Sequence, residues 1–468
     1  MHFNTIVEVA KLIQSKQISP VELTQMQLER IQEWDPTLRS YATLMPERAV
    51  DMATQAEAEI MSGHYRGLLH GVPVAVKDLC NTRGVLTMGG AQTKADHVPD
   101  HNATVVQKLA DAGTILLGKL NLTEGAMGGY NPVFPIPVNP WHSQRWTGSS
   151  SSGSGVATAS GLCFGSLGSD TGGSIRFPAA ACGVVGLKPT WGHVSRYGVL
   201  ALAESMDHIG PMTRSVADAG LMLQAIAGSD SNDPTTLPYP VPDMLAKLGQ
   251  ELIGIRIGFD QYYATSDVDQ ELAVAVSNSV DVLVELGAEL VEIKLPDIDS
   301  FVLAWPVLCA AEAVLAHQAT YPLYRKAYGP WFRGWLDKGA DVTGADYARA
   351  NNLRAICNGH FQRAMSEIDI LICPSMSAPP HPVTTEALYG PMTDRPPKFQ
   401  RFTVPFNYNG MPTLSVPCGF TRDYLPLSLQ LVGKHLSEPL LCQVGHAYER
   451  ATTWHQHHPN LDCVSTVS

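Results

Sequence analysis

Three short segments hold residue types that can activate a hydroxyl group. Gly71-Val72-Pro73-Val74-Ala75-Val76-Lys77-Asp78 carries a lysine at the end of a β-branched run. Arg145-Trp146-Thr147-Gly148-Ser149-Ser150-Ser151-Ser152-Gly153-Ser154-Gly155 is a serine and glycine run. Gly168-Ser169-Asp170-Thr171-Gly172-Gly173-Ser174-Ile175-Arg176-Phe177-Pro178 sets a serine after two glycines. A serine hydroxyl is a weak nucleophile and needs a base. A lysine can be that base only as the neutral amine, which requires burial to lower its pKa. Val74 and Val76 give Lys77 apolar flanks, and alternation along a strand sends Asp78 to the opposite face. Taken singly, each residue has an ordinary explanation. Lys77 reads as a surface lysine at a strand end, Ser150 as a loop serine, and Ser174 as a helix N-cap before Ile175. Asp170 and Arg176 read as hydrogen-bonding partners around the turn, and Cys182 as a packed thiol.

Other short motifs lack a necessary residue. Gly113 to Lys119 matches G-x-x-x-x-G-K, but Leu120 stands where a Ser or Thr must hold Mg²⁺. Val74-Ala75-Val76-Lys77 is like the kinase V-A-I-K, with no H-R-D or D-F-G after it. A nucleotide-binding protein is therefore only a remote alternative. The run His455-Gln456-His457-His458 reads as a solvated tail, and no metal site is expected.

The elements that must position these segments follow from periodicity and punctuation. Ser19-Pro20-Val21-Glu22 is a capping box, followed by apolar residues at helical spacing (Leu23, Met26, Ile31). A second helix is predicted over about 46–61, so the first 60 or so residues read as helical. Residues 71–77 read as a strand, 103–112 as a helix closed by Gly113, and 114–117 as an apolar strand. A Ser/Gly stretch such as 147–198 is often a linker. Here Val156 to Leu162, Cys163 to Leu167 and Val184 to Leu187 interrupt it, which points to packed core with tight turns. A strand–helix–strand unit covers 253–259, 270–286 and 288–295. Residues 368–373, 413–416 and 425–432 read as strands and 440–451 as a closing helix. This is α/β texture.

Composition narrows the class. The chain has 468 residues, a net charge of −12, 16% charged and 45% hydrophobic residues. Such a chain buries a large core and is not mainly disordered. Its acidity excludes a general affinity for nucleic acid or an anionic membrane. No unbroken apolar run reaches the length of a membrane span. Nine cysteines without a C-x-x-C pair point to a reducing compartment. The N-terminal residues lack a basic region and apolar stretch, so no signal peptide is expected and a cytoplasmic location is.

In their order and gapless spacing, the three segments resemble the amidase signature family. That family carries a Gly/Ser-rich stretch, then G-T-D-T-G-G-S-I-R after a helix, with a lysine on an upstream strand. Asn139-Pro140-Trp141, Cys182 to Thr190, Gly410-Met411-Pro412-Thr413 and Leu427 to Gly433 also look like it. Ser149 and Ser152 stand where glycine is commoner, and the spacing favours Ser150 over Ser149 or Ser151 as the family's bridging serine.

The resemblance implies an α/β fold in one large domain spanning 1–468, with a mixed central sheet covered by helices. A helical segment at about 1–62 precedes a catalytic core at about 70–215. It implies Ser174 as nucleophile, Ser150 as a bridging serine in a cis peptide, and Lys77 as general base. The backbone N–H groups of Thr171, Gly172, Gly173 and Ser174 would then face a developing oxyanion, because glycine leaves the approach open. Met127 falls where the family's pocket loop lies. The implied activity is hydrolysis of a small-molecule amide, aryl amide, carbamate or ester, without cofactor or metal and with a homodimer as the expected assembly. The alternative is the glutaminase subunit of a tRNA-dependent amidotransferase. The aromatics Trp305, Tyr321, Tyr324, Tyr328, Trp331, Phe332 and Trp335 would form either a pocket wall or ordinary helix packing.

Overall fold

Eleven strands make up one mixed sheet in the computed structural model, which describes residues 1–393 and 398–464. They are β1 (Tyr41–Leu44), β2 (Pro73–Lys77), β3 (Ile115–Leu120), β4 (Gly165–Asp170), β5 (Val185–Lys188) and β6 (His208–Thr213), then β7 (Arg256–Phe259), β8 (Glu289–Glu292), β9 (Ile370–Pro374), β10 (Thr413–Phe420) and β11 (Pro426–Gly433). Their order is β1-β3-β2-β4-β6-β5-β10-β11-β9-β7-β8. Helices cover the sheet, giving a single-domain α/β fold. β2 pairs in parallel with β3 on one side and β4 on the other, and all three strands are buried along their length. Burial on both faces is what an all-apolar run such as Pro73 to Val76 allows. It also leaves Lys77 in the interior rather than at a wet strand end.

Most elements lie where periodicity puts them. The capping box at Ser19 opens the helix Pro20–Leu38, and a helix spans Pro46–Met61. β7, the helix Gln270–Glu285 and β8 form the expected unit, with β7 and β8 parallel neighbours. Four strands differ from expectation. β1 interrupts the N-terminal helical stretch and pairs antiparallel with β3 at the sheet edge. β4 and β5 fall where the residues read only as packed core with tight turns, β6 falls in a stretch given no element, and β6 pairs antiparallel with both. β4 reads Gly-Ser-Leu-Gly-Ser-Asp, a composition that propensity disfavours. Close approach explains it. A Cβ on Gly165 would lie 2.5 Å from Met222 Sδ, and one on Gly168 would lie 2.9 Å from Ser151 Oγ.

The serine run becomes the buried helix Ser152–Ala159. Gly153 lets it sit against backbone, since a Cβ there would meet Ser40 O at 2.4 Å. The helix Asp299–Ala316 has a mean hydropathy of 1.6, enough by length and composition to cross a membrane. In this fold it buries Phe301, Trp305, Leu308 and Cys309 and packs on the helices Pro330–Ala340 and Gly344–Ala364. Of the tail histidines, His457 and His458 are exposed, and His458 stacks on Phe3 with ring centroids 4.0 Å apart.

Candidate active site

Lys77 ends β2 with its side chain fully buried. Its amine donates to Ser150 Oγ at 2.6 Å, Ser169 Oγ at 2.8 Å and Ser151 Oγ at 2.9 Å. Burial lowers its pKa to about 7, against the opposing pull of the nearby acidic groups Cys80, Asp170 and Asp207. Asp78 faces away, as strand alternation requires. Its Oδ1 lies 3.3 Å from Lys119 Nζ, and its Oδ2 accepts from Met88 N–H at 3.0 Å. Burial raises the Asp78 carboxyl to about 6, with Lys119 restraining the rise. The lysine of the G-x-x-x-x-G-K run is thus a buried ion-pair partner on β3, not a phosphate ligand.

The serine run is bonded to the end of β2 through Lys77 and to the end of β4 through Ser169. The Ser149–Ser150 peptide is cis. Ser149 Oγ donates to Met127 O at 2.9 Å, which ties the run to the loop at residues 124–129. Ser151 Oγ donates to Ser169 O at 3.2 Å and accepts from Ser169 N–H at 3.1 Å, stitching the run to the end of β4. Sequence reasoning missed Ser151 and Ser169 as partners of Lys77. Ser169 was legible only through the parallel pairing of β2 with β4, which sets it beside Lys77.

The turn after β4 is organised around Asp170. Its carboxylate accepts from Gly173 N–H at 2.8 Å, Ile175 N–H at 3.0 Å, Asn407 Nδ2 at 2.8 Å and Arg176 Nη2 at 2.8 Å. Burial alone would raise the Asp170 carboxyl, but the Arg176 guanidinium and these donors outweigh it and hold the group ionised well below the usual carboxylate range. The expected structural role of Asp170 and Arg176 is therefore visible as a fully buried ion pair. Asp170→Asn would leave the guanidinium uncompensated. We expect a loss of about 3–5 kcal/mol of folding stability, read by chemical denaturation.

Gly173 departs from expectation as an oxyanion donor, because its N–H is already taken by Asp170. Competition between a buried carboxylate and a future ligand was not legible in the sequence. The N–H groups of Thr171, Gly172 and Ser174 have no acceptor among the described residues. Ser174 is partly exposed, and its Oγ makes no hydrogen bond with another described residue. Its carbonyl accepts from Ser151 N–H at 3.4 Å, which holds the turn beside the serine run.

Ser174, Thr171, Gly172, Ser149 and Met127 line one narrow pocket, of about 10 Å³, with Ala126, Gly128, Phe177, Leu202, Trp305 and Gln400. Met127 is thus part of the same wall as the serine. Of the seven aromatics between 305 and 335, only Trp305 reaches this pocket. Phe332 and Trp331 instead pack behind the 124–129 loop, where a Cβ on Gly125 would lie 2.3 Å from Phe332 Cζ and one on Gly129 2.4 Å from Trp331 Cβ. Tyr324 is exposed. Cys182 is buried with its thiol pKa pushed up by desolvation, as a packed cysteine should be.

Comparison with known proteins extends the reading over the whole chain. The Amidase family model matches residues 22–442. The chain is 43% identical over 454 residues to the putative amidase AmiD of Mycobacterium tuberculosis, covering 97% of this chain and 95% of that protein. It is 39% identical over 488 residues to a glutamyl-tRNA(Gln) amidotransferase subunit of Thermosynechococcus vestitus, covering 98% of this chain and 100% of that protein. The structure superposes on that of the native peptide amidase from Stenotrophomonas maltophilia with a TM-score of 0.86 and 30% identity, over 98% of this chain and 99% of that one. By sequence and by fold alike, the chain belongs to the amidase signature family and is a hydrolase of carbon–nitrogen amide bonds.

Proposed function

We propose that this enzyme hydrolyses small, uncharged carboxylic amides through an acyl-enzyme on Ser174. The observation that carries this reading is the Lys77 amine, with a pKa of about 7, bonded to Ser150 Oγ at 2.6 Å, while the next residue's Ser151 N–H donates to the carbonyl of Ser174. Ser174 Oγ attacks the carbonyl carbon. Its proton passes to Ser150, which gives its own proton to neutral Lys77. The carbonyl oxygen becomes an oxyanion facing free backbone N–H groups of the 171–174 turn. As the tetrahedral intermediate collapses, the C–N bond breaks. The leaving nitrogen takes a proton from Lys77 by way of Ser150 and departs as the amine. Water then attacks the acyl-enzyme, its proton following the same path, and the acid leaves with Ser174 restored. The reading requires Ser174 Oγ to bond Ser150 in the substrate complex, since catalytic hydrogen bonds commonly tighten only there.

The wall of the pocket supports the substrate class. Among the described residues that line it there is no charged side chain, and Met127, Phe177, Leu202 and Trp305 supply apolar surface. Such a wall suits an aliphatic or aryl acyl group. Glutamine carries an ammonium and a carboxylate, which need charged partners when buried. The likeness to an amidotransferase subunit keeps ammonia supply from glutamine as the second reading.

Two experiments test the proposal. Intact-mass spectrometry after fluorophosphonate treatment is expected to show one adduct, absent in Ser174→Ala. A panel of aliphatic amides, aryl acylamides, carbamates, ureas and glutamine is expected to show turnover of neutral amides by the chain alone, with glutamine slower by at least about 10²-fold. Preference for glutamine would favour the second reading, and labelling that survives Ser174→Ala would remove Ser174 as nucleophile.

A further inference from the structure

Every carbonyl of the turn from Thr171 to Ser174 is held by a donor. Gly173 O accepts from Phe177 N–H at 2.7 Å and Ser174 O from Ser151 N–H, both nearby backbone. The other two are held by side chains from distant parts of the chain. Thr403 Oγ1 at 2.7 Å and Gln400 Nε2 at 3.2 Å both donate to Gly172 O. The indole Nε1 of Trp305 donates to Thr171 O at 2.8 Å.

A peptide unit is planar, and its C=O and N–H point in opposite directions. Holding a carbonyl therefore aims the next residue's N–H. The plane held by Thr403 and Gln400 carries the Gly173 N–H, which is spent on Asp170. The plane held by Trp305 carries the Gly172 N–H, which has no acceptor among the described residues and belongs to a residue lining the pocket. The ring of Trp305 also lies over this residue, since a Cβ on Gly172 would come within 2.5 Å of Trp305 Cζ2. Trp305 is itself buried, so its hydrogen bond is not exchanged with water.

We propose that Trp305 is a positioning residue that aims the Gly172 N–H at the substrate carbonyl oxygen. The inference rests on the acyl-enzyme reading above. Trp305 does not accept or donate a proton in the reaction. It fixes a donor whose bond strengthens as the oxygen gains charge, so its effect belongs to the transition state.

The test uses Trp305→Phe, which keeps an aromatic ring over Gly172 and removes the indole N–H. Benzothienylalanine at position 305, of tryptophan's shape but without the N–H, serves if the phenylalanine variant does not fold. The probes are a fluorophosphonate and the chromogenic amide p-nitroacetanilide. The expected result is a fall of about tenfold in the rate of Ser174 labelling and in kcat, on top of any rise in KM from the smaller apolar wall. The inflection of the pH–rate profile should stay in place, because the Lys77 cluster is untouched. Labelling and kcat within about twofold of the parent would overturn the proposal, and so would a loss confined to KM. Failure of the acyl-enzyme reading is distinguishable, since the parent itself would then not be labelled at Ser174.

Discussion

Replacing Ser174 with alanine is expected to lower kcat on a neutral amide by about 10⁴- to 10⁶-fold, with the fold and thermal stability retained. The size follows from the absence of a substitute. Of the other hydroxyls lining the pocket, Ser149 Oγ is committed to Met127 O and Thr171 Oγ1 to Asp207. Ser150 is fully buried and bonded to Lys77, so it has no path to a substrate carbonyl. Residual turnover over water would come from the turn's free N–H groups and from binding alone. Steady-state kinetics on purified variant, with the parent diluted to the same signal as a control for carry-over, measures the effect. A fall of less than about 10²-fold would mean that another atom performs the attack.

Lys77→Ala is expected to cost about 10²- to 10⁴-fold in kcat/KM and to erase a titration. In the parent, the amine is protonated below its pKa of about 7 and cannot accept from Ser150. Rate should therefore rise with pH through about 7 and level off above it. The alanine variant should show no inflection there. Stability carries the same signature. The buried amine has a pKa below its ordinary 10.5, so between about 7 and 10.5 the unfolded chain binds a proton that the folded one does not. Folding stability from this group accordingly rises with pH across that window, and the variant loses that slope. An unchanged pH–rate profile in Lys77→Ala would assign the titration, and the base, to another group.

Much of this site is legible in the residues themselves. Lys77, Ser150 and Ser174 lie in the segments that carry the family resemblance, Lys77 does meet Ser150, and Met127 lies in the wall of the pocket that Ser174 lines. What escaped depends on pairings between distant segments. Ser169 faces Lys77 because β4 runs parallel beside β2, and a strand made of glycine and serine is hidden from propensity. Asp170 takes the Gly173 N–H, a competition visible only once the carboxylate is placed. Trp305 stood among seven aromatics with nothing local to separate it from the six others. Its distinction is a hydrogen bond across the fold to Thr171 O. The edge strand β1 was lost because four residues between two long helices carry too little pattern to show a period of two.

The three hydroxyls around Lys77 also carry a constraint on direction. An ammonium group has three hydrogens and can donate to Ser150, Ser151 and Ser169 at once. A neutral amine has two hydrogens and one lone pair, so one of the three bonds must reverse. Ser151 cannot supply the reversal, because its hydrogen is committed to Ser169 O. The choice falls between Ser150 and Ser169. Only reversal at Ser150 points its hydrogen at nitrogen and turns its lone pairs toward an incoming proton. Loss of one proton from Lys77 thus sets the polarity of the whole chain of hydroxyls, and Ser169 competes with Ser150 for the same lone pair. Ser169→Ala removes that competitor, leaving Ser150 as the hydroxyl that turns.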